Sequence, residues 1–132
     1  ERIVAEFDVR TPGVDVPAAA LSGGNQQKLV VGRELSGEPL LLIAAHPTRG
    51  VDVGAQAGIW DELRHARRRG LAVLLVSADL DELIGLSDSI KVMLSGRLVA
   101  DADPATITPD ELGAAMTGAD SAPAEQRNEE QA

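Results

Sequence analysis

The chain has 132 residues, 44% of them hydrophobic, and a formal net charge of −9. That length suits one domain at most, and the acidic balance disfavours nucleic acid as a partner, since a nucleic-acid-binding domain carries a basic footprint. The absence of Cys excludes disulfides and thiolate metal sites, and no apolar run approaches the roughly 20 residues that span a membrane.

Residues 1–20 read as a loop-rich lead-in, with turn or extended signals at Thr11-Pro12-Gly13 and Val16-Pro17. Ser22 precedes a helical pattern that runs to about Ser36, with Gly37 as its stop and Pro39 just beyond. Leu40 to Ala45 is a continuous apolar run of strand length, which suits a strand buried on both faces of a parallel sheet. After a loop holding Pro47 and Gly50, a second helix is expected over Val53 to Arg69. It has Ile59, Trp60, Leu63 and Ala66 on one face, with Trp60 read as core. Arg64, Arg67, Arg68 and Arg69 cluster at its end, where cations complement the helix dipole and stay solvated, and His65 beside them is a surface residue.

Leu71 to Ser77 is a second buried strand, and Asp79 caps a short helix bearing Leu80, Leu83 and Ile84. Ser89 to Leu94 and Arg97 to Ala100 are two short strands joined by a hairpin at Ser95-Gly96. Thr108-Pro109-Asp110-Glu111 starts a last helix, with Thr as N-cap, Pro at the first position and acids in the first turn. From Gly118 the chain turns small, polar and acidic, so 118–132 reads as a disordered tail beside a domain over 1–117. The alternation of strand and helix predicts an α/β layer fold with right-handed crossovers. The first residue is Glu rather than Met, which leads us to expect upstream sequence or a truncated copy.

Leu21-Ser22-Gly23-Gly24-Asn25-Gln26-Gln27-Lys28 carries the chemistry. Ser22 sits at the N-cap, and Gly23 and Gly24 remove Cβ atoms from the first turn. Backbone N–H groups are thereby left open at the positive end of a helix, an arrangement that binds phosphate. Gln26 and Gln27 add neutral polar reach. Two glycines in a first turn cost roughly 1 kcal/mol each relative to Ala, a cost that a purely structural helix rarely carries.

This octapeptide resembles the signature motif of ATP-binding cassette (ABC) ATPases, in the form found in bacterial importers of simple sugars and nucleosides. Further segments follow in the family's order. Leu40 to Ala45 resembles the Walker B strand, and Pro47-Thr48-Arg49-Gly50-Val51-Asp52-Val53-Gly54 resembles the D-loop region. Val73 to Leu80 resembles the strand and switch loop, and Ser87 to Met93 with Gly96-Arg97 resembles the hairpin beyond it. The resemblance implies a partial P-loop NTPase fold, with a mostly parallel sheet, flanking helices and a small C-terminal hairpin.

It also implies that two ATP molecules lie between two such domains, each held by the phosphate loop of one and the signature of the other. Ser22, Gly23, Gly24 and Gln26 would then contact an ATP bound in trans, and Asp52 would lie near the dimer seam. Mg²⁺ would accompany the nucleotide, held mainly by a partner or by an upstream half. The implied partners are a second ABC ATP-binding domain, transmembrane permease subunits and, indirectly, a solute-binding protein. The implied place is the cytoplasmic face of the plasma membrane, as a peripheral subunit.

The chain departs from the family pattern at several points. It has no phosphate loop of the form G-x-x-x-x-G-K-[ST]. Ala45 and His46 occupy the positions of the usual Asp and Glu before Pro47-Thr48. The first normally serves the Mg²⁺ shell and the second the attacking water. His46 could accept a hydrogen bond from water as a general base, or could simply fill space at a strand end. Ala78 stands where the switch His is usual. The sequence therefore predicts little ATP hydrolysis by the chain alone and an intact signature that serves a partner's site. A vestigial cassette and a non-transport ABC ATPase are the competing readings.

Overall fold

The computed structural model describes residues 1–119; the acidic tail expected over 118–132 falls almost wholly outside them. The described residues form two compact units, Glu1 to Ala78 and a second beginning at Asp79.

The first unit opens with α1 (Arg2–Glu6), then a 3₁₀ turn at Ala18–Ala20, α2 (Gly23–Leu35), β1 (Leu41–Ala45), α3 (Val53–Arg68) and β2 (Ala72–Val76). The helix at residues 2–6 corrects the loop-rich reading of the lead-in. Five residues cannot hold a helix by propensity; this one is held by packing, with Phe7 buried and Gly32 of α2 admitting Ile3 and Phe7. Val9, Val14 and Val16 then line an apolar cleft of about 350 Å³ together with Leu21 and Leu29.

β1 and β2 pair in parallel, Leu41 opposite Ala72 through Ala45 opposite Val76, and α3 supplies the crossover between them. One face of the pair carries Leu42, Ala44, Val73 and Leu75, with Ala44 buried. The other carries Leu41, Ile43, Leu74 and Val76, all exposed. The expectation that both strands are buried on both faces is thus corrected. The apolar run is there, but among the described residues no layer covers its second face.

The core of this unit gathers Phe7, Val9, Val31, Leu35, Ile59, Leu63 and Ala66. Trp60 is only half-buried, which corrects its reading as core. The Arg64 guanidinium lies 5.5 Å from its ring centroid, and its buried Nε1 has no hydrogen-bond partner among the described residues. His65 and the arginines at 67–69 are exposed, as expected.

The second unit contains α4 (Leu80–Leu86), β3 (Ile90–Leu94), β4 (Arg97–Ala102) and α5 (Pro109–Thr117). Asp79 caps α4, its carboxylate accepting from Glu82 N at 2.9 Å. β3 and β4 form an antiparallel hairpin with a register shift after Val92. Ser95 and Gly96 both have positive φ, 48° and 77°, the backbone of a type I′ turn. Lys91 and Asp101 pair across the strands at 2.7 Å. Leu83, Ile90, Val92 and the fully buried Leu112 form the core.

Candidate functional site

The site is built on the first turn of α2. Ser22 is the N-cap residue with extended backbone, but its hydroxyl makes no capping bond to the helix amides. It accepts instead from Asn25 Nδ2 at 2.9 Å. Asn25 Oδ1 accepts from Arg10 N at 2.7 Å, so one side chain ties the tip to the lead-in. Gln26 N donates to Ser22 O at 2.9 Å, and its side-chain Nε2 donates to Leu21 O at 2.7 Å. Lys28 is drawn away to the Asp8 carboxylate at 3.2 Å. The local chain is therefore held by its own polar side chains, while Ser22, Gly23 and Gln26 stay exposed.

The two glycines differ. A Cβ on Gly23 would meet only Gly50 O, at 3.6 Å, whereas one on Gly24 would meet Ala55 Cβ at 2.7 Å and Asp52 Oδ2 at 3.3 Å. Gly24 is buried. The two glycines thus differ in their surroundings: Gly23 faces outward, and Gly24 allows α2 to lie against the start of α3.

Asp52 is the N-cap of α3, its Oδ1 accepting from Ala55 N at 3.0 Å. The fold thus brings Asp52 beside Gly24, while Gly23 has only Gly50 O near it. His46 opens the turn that Asp52 closes. It is exposed, has a left-handed backbone at φ 48°, and donates its N–H to Val76 O at 2.8 Å. Ala45 ends β1, His46 follows it directly, and Ala78 lies two residues beyond β2, at the carboxyl edge where open α/β sheets bind ligands.

Among the described residues no three His, Cys, Asp or Glu side chains gather to hold a metal ion. Ala45 offers no ligand either, so these residues do not fit a Mg²⁺ site of their own. The sequence motifs include Asn25 and Gly50 without giving either a packing role, and Ala55 lies outside them. Only Asn25 carried a signal, as a short polar residue in a helix first turn; the other two act through space.

No family model matches the chain. In sequence it is 50% identical over 116 residues to the guanosine import ATP-binding protein NupO of Bacillus subtilis, covering 88% of this chain and 23% of that protein. It is 47% identical over 116 residues to the nucleoside import ATP-binding protein NupA of Lactococcus lactis, with the same coverage. It is 47% identical over 122 residues to the glucose import ATP-binding protein TsgD13 of Haloferax volcanii, covering 89% of this chain and 22% of that one. The chain thus spans about a quarter of the length of the curated relatives it matches.

Among solved structures it is similar to the ATP-binding subunit of an ABC transporter, with a TM-score of 0.73 at 22% identity over 88% of this chain and 52% of that one. It is similar also to a dimeric ATP-binding cassette in a post-hydrolysis state bound to ADP and Pi, with a TM-score of 0.68 at 19% identity over 78% and 44% of the two chains. Among the described residues no helix is long and apolar enough to cross a membrane. Sequence relatives and fold together place the chain in the ATP-binding cassette family, alongside the sugar and nucleoside import proteins.

Proposed function

We propose that the chain supplies the signature side of a composite ATP site in an importer of a sugar or nucleoside. The ATP is held by the phosphate loop of a partner domain, with its Mg²⁺. Ser22 and Gly23 meet the terminal phosphate, and Asp52 lies at the seam between the domains. The partners are a second cassette domain, a transmembrane permease and, through it, a solute-binding protein. The chain works as a peripheral subunit on the cytoplasmic face of the membrane. The segment that does this is read as 1–117, a length close to the 116 residues matched in the guanosine import ATP-binding protein.

The observation that carries this reading is the exposed tip at Ser22 and Gly23, backed by a buried Gly24. A helix N-terminus with open amides favours a phosphate oxyanion, and a rigid backing fixes its direction. The chain's own side is the weaker one. Ala45 gives no metal ligand, Ala78 no imidazole, and His46 no carboxylate, so the nucleotide on that side turns over slowly.

The test is Gly23→Asp in the assembled transporter complex. A carboxylate there repels phosphate without disturbing the α2–α3 contact, and ATP turnover should fall at least tenfold, about the penalty of one misplaced charge. Unchanged turnover would remove the tip from the site. Gly24→Asp is the poorer probe, because it also breaks the packing against Ala55.

A further inference from the structure

Asp52 touches the signature tip within its own chain. Its Oδ1 closes the first turn of α3 on Ala55 N. That turn sets the position of Ala55 Cβ, and Asp52 Oδ2 points to the same spot, the place a Cβ on Gly24 would occupy. Val51 Cγ1 stands 3.6 Å from that point, and Gly50 O lies 3.6 Å from the Cβ position of Gly23. Residues 50–52 and Ala55 thus form the floor on which the first turn of α2 rests. Close-packed neighbours leave one arrangement rather than a range, so the direction of the α2 amides is set by the cap of α3.

We infer that Asp52 is a positioning residue for the signature tip, acting within its own chain through the Ala55–Gly24 contact. Without the cap, the first turn of α3 frays, Ala55 shifts, and the floor under Gly24 loosens. The role needs an acceptor oxygen at this position and no net charge, because Asn caps a helix as well as Asp does. A part played across a domain seam would instead depend on the charge and on a partner. The inference deepens the proposed function, but its structural readouts need no nucleotide.

The experiment is amide hydrogen exchange on the full 132-residue chain, followed at Gln26, whose N–H bonds Ser22 O. Asp52→Ala should accelerate exchange at Gln26 about fivefold, the equivalent of one lost cap, while Asp52→Asn should stay within about twofold of the parent. A second measurement uses thermal melting. Gly24→Ala lowers the melting temperature, and adding Ala55→Gly to it recovers part of the loss, although Ala55→Gly alone is also destabilising.

Unchanged exchange at Gln26 in Asp52→Ala overturns the inference. So does equal acceleration by Asn and Ala, or strict additivity of the changes at 24 and 55. None of these outcomes depends on ATP, so a failure of Gly23→Asp to lower turnover would reject the proposed site while leaving this inference to be decided separately.

Discussion

Ile43 and Leu74 are register partners in the parallel pair, and both side chains stand open, at 63% and 53% exposure. With Leu41 and Val76 they make an uncovered apolar face on a sheet whose outer strand edges are also unpaired among the described residues. Such a face and such edges drive association. The 132-residue chain by itself is expected to self-associate at micromolar concentration, and Ile43→Lys with Leu74→Glu should shift it toward monomer. Sedimentation velocity decides this; a parent chain that is monomeric throughout refutes it.

Gly32 is the point where α1 rests on α2. A Cβ there would lie 2.6 Å from Ile3 Cγ2 and 2.7 Å from Phe7 Cδ2. Gly32→Ala should therefore destabilise by about 1–3 kcal/mol, the usual cost of overpacking. Gly37→Ala has nothing within 4 Å of the added atom and should be close to neutral. Paired denaturant melts give both values, and equal effects at the two positions would contradict the packing described.

Thr108 and Glu111 form a reciprocal capping box at the start of α5. Glu111 Oε2 accepts from Thr108 N at 2.9 Å and from Thr108 Oγ1 at 2.8 Å, and Glu111 N donates to Thr108 Oγ1 at 3.3 Å. The backbone bond first, and the hydroxyl bond second, hold the Glu111 carboxyl below its ordinary value. A lowered folded pKa means that the stabilisation is fully present above the ordinary carboxylate pKa. It is lost as pH falls from there through the lowered value. Thr108→Ala should cost about 1 kcal/mol at neutral pH, and the difference between the two proteins should shrink in acid. An acid-independent difference in urea melts would argue against the box.

His46 holds a left-handed backbone at φ 48° without being glycine. Non-glycine residues carry roughly 1–2 kcal/mol there, partly offset by the greater unfolded-state freedom of Gly. His46→Gly should raise stability by about 0.5–1 kcal/mol. A drop on substitution would show that the imidazole makes contacts which outweigh the strain.

The helices with explicit start and stop chemistry were legible in the sequence. Ser22 before the glycine pair, Asp79 before Leu80, Thr108-Pro109 and the Ser95-Gly96 turn each carry a local signal, and each stands within a residue or two of its predicted place. The helix at 2–6 was not legible, because its support is Gly32, far away in sequence. The exposed face of β1–β2 was hidden for a related reason. An apolar run such as Leu40 to Ala45 reports what a strand could bury, and the fold decides what covers it. In the site, the motif drew the eye to Ser22, Gly23, Gly24, Gln26 and Asp52, but the packing of Gly24 against Ala55 was not legible. A glycine demanded by a neighbouring Cβ reads the same, in one dimension, as a glycine demanded by a ligand.

The polar side chains around the α2 tip are already occupied. Asn25 bridges Ser22 and Arg10, Gln26 is turned back on Leu21, and Lys28 on Asp8. What faces outward, besides the exposed Gln26, is peptide backbone and the Ser22 hydroxyl. In the proposed composite site, such a surface would sense the charge and shape of an oxyanion and be blind to the base and sugar at the far end of a nucleotide. Choosing adenine over guanine would then fall to whichever polypeptide grips that far end.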